Sequence, residues 1–137
     1  MQTHGHFSSA HLRLLRGVSR SFYLSIRLLP APLRGPIAVG YLLARATDTV
    51  ADTTALPLAD RLQLLSALMA AIDSPGGDLQ GSHQSLSEFA ERQTDPHERA
   101  LMQALPACLS LLQALSPEDQ TSVRWVLGHI TRGQVLD

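Results

Sequence analysis

The chain has 137 residues, of which 45% are hydrophobic and 17% charged, and its formal net charge is −1. This length suits a single domain that buries a core, and the composition excludes an intrinsically disordered chain. The near-neutral charge gives no indication of a polyanion-binding protein, so nucleic acid is not an expected partner. All eleven basic residues are arginines, whose planar guanidinium groups are suited to binding phosphate or carboxylate.

Helical periodicity dominates the chain and predicts an all-α fold. Prolines end the first predicted helix, and a serine or aspartate followed by proline starts each of the last two. Pro106 is expected to kink the helix that contains it. The predicted helices run over residues of about 8–28, 33 or 36–52, 58–73, 85–92, 96–115 and 117–137. A loop is predicted over 78–82, and residues 1–7 are expected to form a flexible tail.

The single cysteine, Cys108, lies in an apolar run and is expected to be a buried, inert thiol, which fits a reducing cytoplasm. The N-terminus lacks the basic stretch and apolar core of a signal peptide, and no apolar run reaches the roughly 20 residues that cross a bilayer. A cytoplasmic protein without a transmembrane segment is therefore expected, and any membrane association would be peripheral. Trp125, in the last helix, is expected to be a core residue.

The second predicted helix carries four polar side chains on one face, because they are spaced by four, three and four residues. They are Tyr41, Arg45, Asp48 and Asp52. Two carboxylates one turn apart can coordinate Mg²⁺, which takes its remaining oxygens from water and substrate phosphate. Arg45 is placed to bind the same phosphate or to hold Asp48 in position. Two alternatives stay open: Asp48 as a solvated partner of Arg45, and Asp52 as an ordinary residue of the helix end.

Two sequence motifs occur in a fixed order. The segment "SRSF", residues 19–22, is followed by "ARATDTVAD", residues 44–52. Together they resemble the squalene and phytoene synthase family, the head-to-head prenyl diphosphate synthases. The resemblance implies an all-α isoprenoid synthase fold whose central cavity holds two prenyl chains. Family members are much longer and carry a second aspartate motif, so residues 1–137 are expected to be the N-terminal half of the domain, an incomplete bundle of about five to six helices.

The resemblance also implies roles for the four residues of the second helix. In the family, the first aspartate motif binds Mg²⁺ that bridges to the substrate diphosphate, and Asp48 and Asp52 match it. Arg45 matches an arginine that contacts the diphosphate. Tyr41 matches a tyrosine that lies close to the reacting carbons. A metal, a guanidinium and apolar walls suit a reaction in which diphosphate leaves and a carbocation forms.

The "SRSF" motif matches a flap that covers the substrate diphosphate in the family. Its matching residues are Ser19, Arg20 and Ser21. Consecutive helical residues point about 100° apart, so Ser21 and Arg20 are expected to face the ligand before Ser19. Ser21 has no histidine nearby in sequence to activate it, which argues against a hydrolase. His4, His6 and His11 have no carboxylate at fixed spacing, so a solvated tail is favoured over a metal cluster.

The aspartate motif looks closer to the squalene branch, although Ala51 stands where that branch has a glutamate. Squalene formation implies a prenyltransferase that joins two farnesyl diphosphates through presqualene diphosphate and uses NADPH for the final reduction. Two alternatives remain. One is a phytoene synthase, which joins two geranylgeranyl diphosphates without NADPH, and the other is a non-catalytic helical protein that binds or assembles partners.

Overall fold

The structure is a computed structural model that describes residues 9–53, 56–74 and 83–136. These residues form eight α-helices and no strand, which confirms the predicted fold class. In chain order the helices are α1 (Ser9–Val18), α2 (Arg20–Arg27), α3 (Ala31–Asp52), α4 (Leu58–Asp73), α5 (His83–Glu91), α6 (Pro96–Gln103), α7 (Leu105–Ala114) and α8 (Pro117–Leu136). The predicted tail over 1–7, the predicted loop over 78–82 and Asp137 lie outside the described residues.

Helix α3 is the centre of the fold. Helices α2, α4, α6, α7 and α8 all pack against it. Its core-facing residues recur at helical spacing and are almost all apolar, so their burial provides the main driving force for packing. They are Ala38, Val39, Leu42, Leu43, Ala46, Thr47 and Val50. Because these positions occupy one side of α3, its other side is left for polar residues.

The prediction of one helix over residues 8–28 is wrong, because the helix is interrupted at Ser19. The backbone of Ser19 is extended, with φ −160° and ψ 102°, and its hydroxyl oxygen accepts a hydrogen bond from the amide of Phe22 at 3.2 Å. A serine in this conformation satisfies an amide that the first turn of a helix would leave unpaired. Ser19 therefore ends α1 and begins α2.

A second break, at Ala104, divides the predicted helix over 96–115 into α6 and α7. Pro106 lies in the first turn of α7, where its missing N–H removes no intrahelical hydrogen bond. Pro32 similarly lies in the first turn of α3, which begins two residues before the earlier of its predicted starts. The two breaks raise the number of helices in the described residues above the five to six expected.

Four arginines donate hydrogen bonds to carbonyl groups at or just beyond the ends of helices. Such carbonyls have no partner within the helix and carry the negative end of its dipole, so a guanidinium stabilises them. The pairs are Arg34 with Leu29 (2.8 Å), Arg61 with Ala51 (2.9 Å), Arg99 with Gln93 (2.7 Å) and Arg124 with Ile72 (2.7 Å). Four of the eleven arginines therefore have structural roles. Arg61 in particular fixes the last turn of α3, which carries Asp52.

The structure confirms one core prediction and contradicts another. Cys108 is buried, and this burial raises the pKa of its thiol to about 12. Trp125 is not a core residue: 65% of it is exposed, and its ring meets that of His129 edge-on at 4.1 Å. The reason is helical phase, because the buried positions of α8 include Val123 and Leu127 and Trp125 points to the opposite side.

None of the helices in the described ranges combines the length and the apolar composition that crossing a membrane requires.

Candidate functional site on helix α3

The polar side of α3 carries all four residues predicted from their spacing. Tyr41, Arg45 and Asp48 are half-buried, whereas Asp52 is exposed at the end of the helix. The packing around α3 explains this gradient, because α6 packs beside the middle of the stripe and Asp52 is the last residue of the helix. The four residues therefore form a stripe that runs from the protein interior to the surface.

Glu98 of α6 is a member of this site that the sequence interpretation missed. One of its carboxylate oxygens pairs with Nη2 of Arg45, and the other accepts a hydrogen bond from the hydroxyl of Thr49. Glu98 is more buried than Arg45, with 14% and 33% of their side chains exposed. Since the two contacts lie one turn apart on α3, Glu98 holds the middle of the aspartate motif against α6.

Glu98 stabilises the positive charge of Arg45. Burial lowers the pKa of the Arg45 guanidinium, but the hydrogen bond and negative charge of Glu98 outweigh burial, and the pKa lies above its usual value. The negative charge of Asp48 acts in the same direction. Arg45 is therefore a permanent cation within a surface that also carries three carboxylates.

The two sequence motifs meet through their aromatic residues. The ring of Phe22 in α2 stacks on the ring of Tyr41 in α3, with centroids 4.0 Å apart and planes inclined by 17°. Tyr41 lies two helical turns before Asp48, so α2 packs beside the early part of the stripe and not beside its carboxylates. The stack places the "SRSF" segment next to α3 in the tertiary structure.

The polar residues of the "SRSF" segment lie at the protein surface or cap α2. Arg20 and Ser21 are exposed, and the main-chain oxygen of Ser21 accepts a hydrogen bond from the hydroxyl of Ser25 at 3.1 Å. Ser19 is half-buried, and its hydroxyl serves as the cap of α2. The structure thus brings Phe22 to Tyr41 but does not bring Arg20 or Ser21 to the carboxylates of α3, and their role toward diphosphate stays a prediction.

The donor set on α3 fits a divalent cation that is shared with an oxyanion. Asp48 and Asp52 supply two carboxylates one turn apart, which matches the one or two protein carboxylates that Mg²⁺ commonly uses. The Nε of Arg45 is buried and has no hydrogen-bond partner, so an incoming phosphate oxygen would satisfy it. Within the described ranges, no cluster of three or more histidine, cysteine or acidic residues is arranged to hold a metal by itself.

A separate groove of about 670 Å³ lies between α4 and α5. Its walls include Leu64 and Phe89, and its rim carries Asp60, Glu88 and Arg92. None of the predicted site residues lines it. The groove is therefore distinct from the α3 stripe and does not contribute to the site described above.

Fold and site together define an all-α protein whose central helix presents two carboxylates and a guanidinium in a stripe. The sequence model described as squalene/phytoene synthase matches residues 15–133, which is most of the chain and includes both motifs. The chain belongs to the squalene/phytoene synthase family. This is a family of prenyltransferases with the all-α isoprenoid synthase fold, as the resemblance predicted.

Curated relatives match the chain over different lengths. Squalene synthase LSS of Botryococcus braunii is 54% identical over 55 residues, which are 40% of this chain and 12% of the relative. Squalene synthase BSS of the same organism is 29% identical over 123 residues, which are 88% of this chain and 24% of the relative. Inactive squalene synthase 2 of Arabidopsis thaliana is 43% identical over 54 residues, covering 39% and 13%.

The matched segment spans about a quarter or less of the length of these relatives. No solved structure matches the chain.

Proposed function

We infer that this chain provides the first half of the active site of a squalene synthase-like prenyltransferase, which condenses two farnesyl diphosphates head to head through presqualene diphosphate. The observation that carries this proposal is the stripe of Arg45, Asp48 and Asp52 on a helix fixed in the core. Similarity to two squalene synthases supports the choice of product over phytoene. The matched segment is 12% and 24% of these two enzymes, so the proposal assigns the rest of the cavity to residues outside it.

In the proposed reaction, the chain's own residues bind and orient the diphosphate. Arg45 would donate its free Nε–H to a diphosphate oxygen while Glu98 keeps the guanidinium in place through Nη2. A bound anion next to a fixed cation is stabilised as negative charge grows on the leaving diphosphate. Tyr41, held flat against Phe22, would present its ring toward the prenyl carbons beside the stripe.

Asp48 and Asp52 would hold Mg²⁺ between the protein and the diphosphate. When bound, the cation neutralises charge on the leaving group and orients it. NADPH would serve only the reductive step that distinguishes squalene formation. No residue in the described part of the chain is assigned to binding it.

A binding experiment tests the metal site in the chain as it stands. Titration calorimetry with farnesyl thiodiphosphate, an analogue that resists ionisation, is expected to show heat of binding with Mg²⁺ and none after chelation. The double variant Asp48→Asn/Asp52→Asn should abolish the Mg²⁺-dependent part. The matched control, Asp60→Asn/Asp73→Asn, removes two acids from α4 and should bind like the wild type. Equal binding by both double variants would overturn the metal assignment.

Product analysis separates the two synthase alternatives. An extended chain that includes the downstream reading frame would be incubated with farnesyl or geranylgeranyl diphosphate, with and without NADPH. Squalene from farnesyl diphosphate, formed only with NADPH, supports the proposal. Phytoene from geranylgeranyl diphosphate would instead establish the second alternative.

The non-catalytic alternative also has a specific observation in its favour. Ala51 replaces a glutamate of the squalene-branch motif, and one relative of this chain is named an inactive squalene synthase. If the protein were non-catalytic, neither the 137-residue chain nor the extended one would bind the diphosphate analogue in a Mg²⁺-dependent way. The calorimetric experiment therefore distinguishes this alternative from both synthases.

A further inference from the structure

Charge is distributed very unevenly along this nearly neutral chain. Residues 1–47 contain six arginines and no aspartate or glutamate, whereas residues 48–137 contain all twelve acids and the other five arginines. Arg45 is neutralised by Glu98. The five remaining arginines of the N-terminal part are all exposed: Arg13, Arg16, Arg20, Arg27 and Arg34. The net charge of −1 therefore conceals a basic surface that faces solvent.

Helix α2 places exposed leucines among these arginines. Arg20, Leu24, Arg27 and Leu28 lie within about 100° of one another around the helix axis. All four are exposed, and Leu24 and Leu28 are 50% and 87% exposed. The opposite side of α2 faces the core through the buried Ile26. We call this side of the helix, defined by residues 20, 24, 27 and 28, the α2 outer face.

Neighbouring residues surround the α2 outer face with the same mixture of arginine and apolar side chains. The ring of Tyr23 is half-buried, and the guanidinium carbons of Arg16 and Arg27 lie 5.8 and 5.9 Å from its centroid. The start of α3 adds two further exposed apolar side chains, Leu33 and Ile37, which are 48% and 39% exposed. Arginine and tyrosine each combine an apolar body with a polar end, which suits the boundary between water and hydrocarbon.

Charge indicates what this surface binds. Residues 1–47, which supply this surface, contain no aspartate or glutamate, so a face in which arginines alternate with leucines favours an anionic partner that also accepts apolar side chains. An anionic bilayer accommodates both residue types, because leucines enter the acyl region while guanidinium groups pair with lipid phosphates. The exposed apolar residues of α8, Trp125, Val126 and Ile130, share their helix with one exposed arginine, Arg132, whereas the α2 outer face carries two, Arg20 and Arg27.

We propose that the α2 outer face docks this protein on the surface of a membrane that contains anionic phospholipid. The docking is peripheral and does not depend on the catalytic function proposed above. It orients α2 so that its outer face meets the headgroups while Ile26 stays in the protein core.

Vesicle sedimentation tests the proposal with the 137-residue chain. Vesicles of phosphatidylglycerol and phosphatidylcholine in equal parts are expected to bind the protein, and vesicles of phosphatidylcholine alone are not. Binding should be lost in about 0.5 M NaCl, where charge is screened over a few ångströms. Inorganic diphosphate added at constant ionic strength should leave binding unchanged, because the ligand is a bilayer and not a free phosphate group.

Paired variants locate the binding surface. Arg16→Gln/Arg27→Gln is expected to weaken binding about 25-fold, from roughly fivefold for each arginine near an anionic surface. The control Arg92→Gln/Arg132→Gln removes two exposed arginines from the acidic part and should bind normally. Leu28→Ser should weaken binding about tenfold, while Leu58→Ser, at a leucine that is 60% exposed on α4, should not. Circular dichroism melts confirm that each variant is folded.

Several results would overturn the proposal. They are the absence of binding to the anionic vesicles, equal binding to phosphatidylcholine vesicles, equal losses in the control variants, and displacement by inorganic diphosphate. Analytical ultracentrifugation provides the remaining check. If Leu28→Ser converts an oligomer to a monomer and leaves vesicle binding intact, the α2 outer face contacts a second copy of the chain and the membrane assignment is wrong.

Discussion

Helices α2 and α3 each carry a sequence motif, but the two helices differ in how many of their residues are buried. Helix α3 has 22 residues, seven of them buried, and five other helices pack against it. Helix α2 has eight residues, of which one is buried, and its polar motif residues Arg20 and Ser21 face solvent. The first motif is therefore held by the Ser19 cap, the Phe22 stack and the single core residue Ile26, while the second lies on a helix with seven buried residues.

This difference divides the proposed site into a rigid part and an adaptable part. The carboxylates and guanidinium of α3 occupy positions that core packing and Glu98 determine before any ligand arrives, which favours preorganised binding of charge. The side chains of Arg20 and Ser21 on α2 are exposed and are not held by core packing in this way. A flap over the diphosphate, as the family resemblance implies, requires this second behaviour.

The largest expected effect comes from removing core volume beneath α3. Leu42→Ala should reduce the free energy of unfolding by about 2–5 kcal/mol, because Leu42 is fully buried and its loss leaves a cavity. The equivalent change on the outside of α2, Leu24→Ala, should alter it by about 0.5 kcal/mol or less. Urea denaturation followed by circular dichroism measures both. Similar losses for the two variants would show that α2 is as firmly packed as α3.

Alkaline pH should weaken the core that surrounds α3. Burial raises the pKa of the Cys108 thiol to about 12, so the folded state favours the protonated thiol. This stabilisation is complete below the unfolded pKa of roughly 8.5 and is lost as pH rises toward 12. Between pH 8.5 and 10 the wild type should lose about 2 kcal/mol more than Cys108→Ala. Parallel pH profiles for the two proteins would contradict the assigned burial.

Removing Glu98 should loosen the α3 stripe without unfolding it. Glu98→Gln leaves Arg45 half-buried without its charged partner, and a loss of about 1–2 kcal/mol in unfolding free energy is expected. Affinity for the Mg²⁺-bound analogue should fall as well, since Arg45 is no longer held in place. Glu91→Gln, at an exposed acid of α5, is the matched control and should change neither quantity. Unchanged affinity in Glu98→Gln would remove Glu98 from the site.

The smallest expected changes in stability are those from substituting the two serines of the "SRSF" motif, and the two serines should differ. Ser19→Ala should cost about 1 kcal/mol because it removes the cap of α2, and Ser19→Asp should restore it. Ser21→Ala should change stability by about 0.5 kcal/mol or less, because the Ser21 side chain is exposed. Thermal melts are sensitive enough to rank the three variants. If Ser21→Ala is the more damaging change, the two serines have been assigned the wrong roles.

Local sequence determined the helical class, the positions of most helix ends and the common face of Tyr41, Arg45, Asp48 and Asp52. These features follow from helical periodicity, proline geometry and capping, which act over a few residues. Even the break at Ser19 is local, since its hydroxyl bonds an amide three residues away. The sequence interpretation missed it only because a continuous helical pattern runs across the same positions.

The contacts between helices and the exposure of individual side chains depend on tertiary structure. Glu98 is 53 residues from Arg45, and nothing in the local pattern of either helix pairs them until α6 packs on α3. The stack of Phe22 on Tyr41 and the exposure of Trp125 likewise depend on which sides of separate helices meet. Spacing along one helix specifies which side chains share a face, but the partner of that face is chosen by burial of apolar surface across the whole bundle.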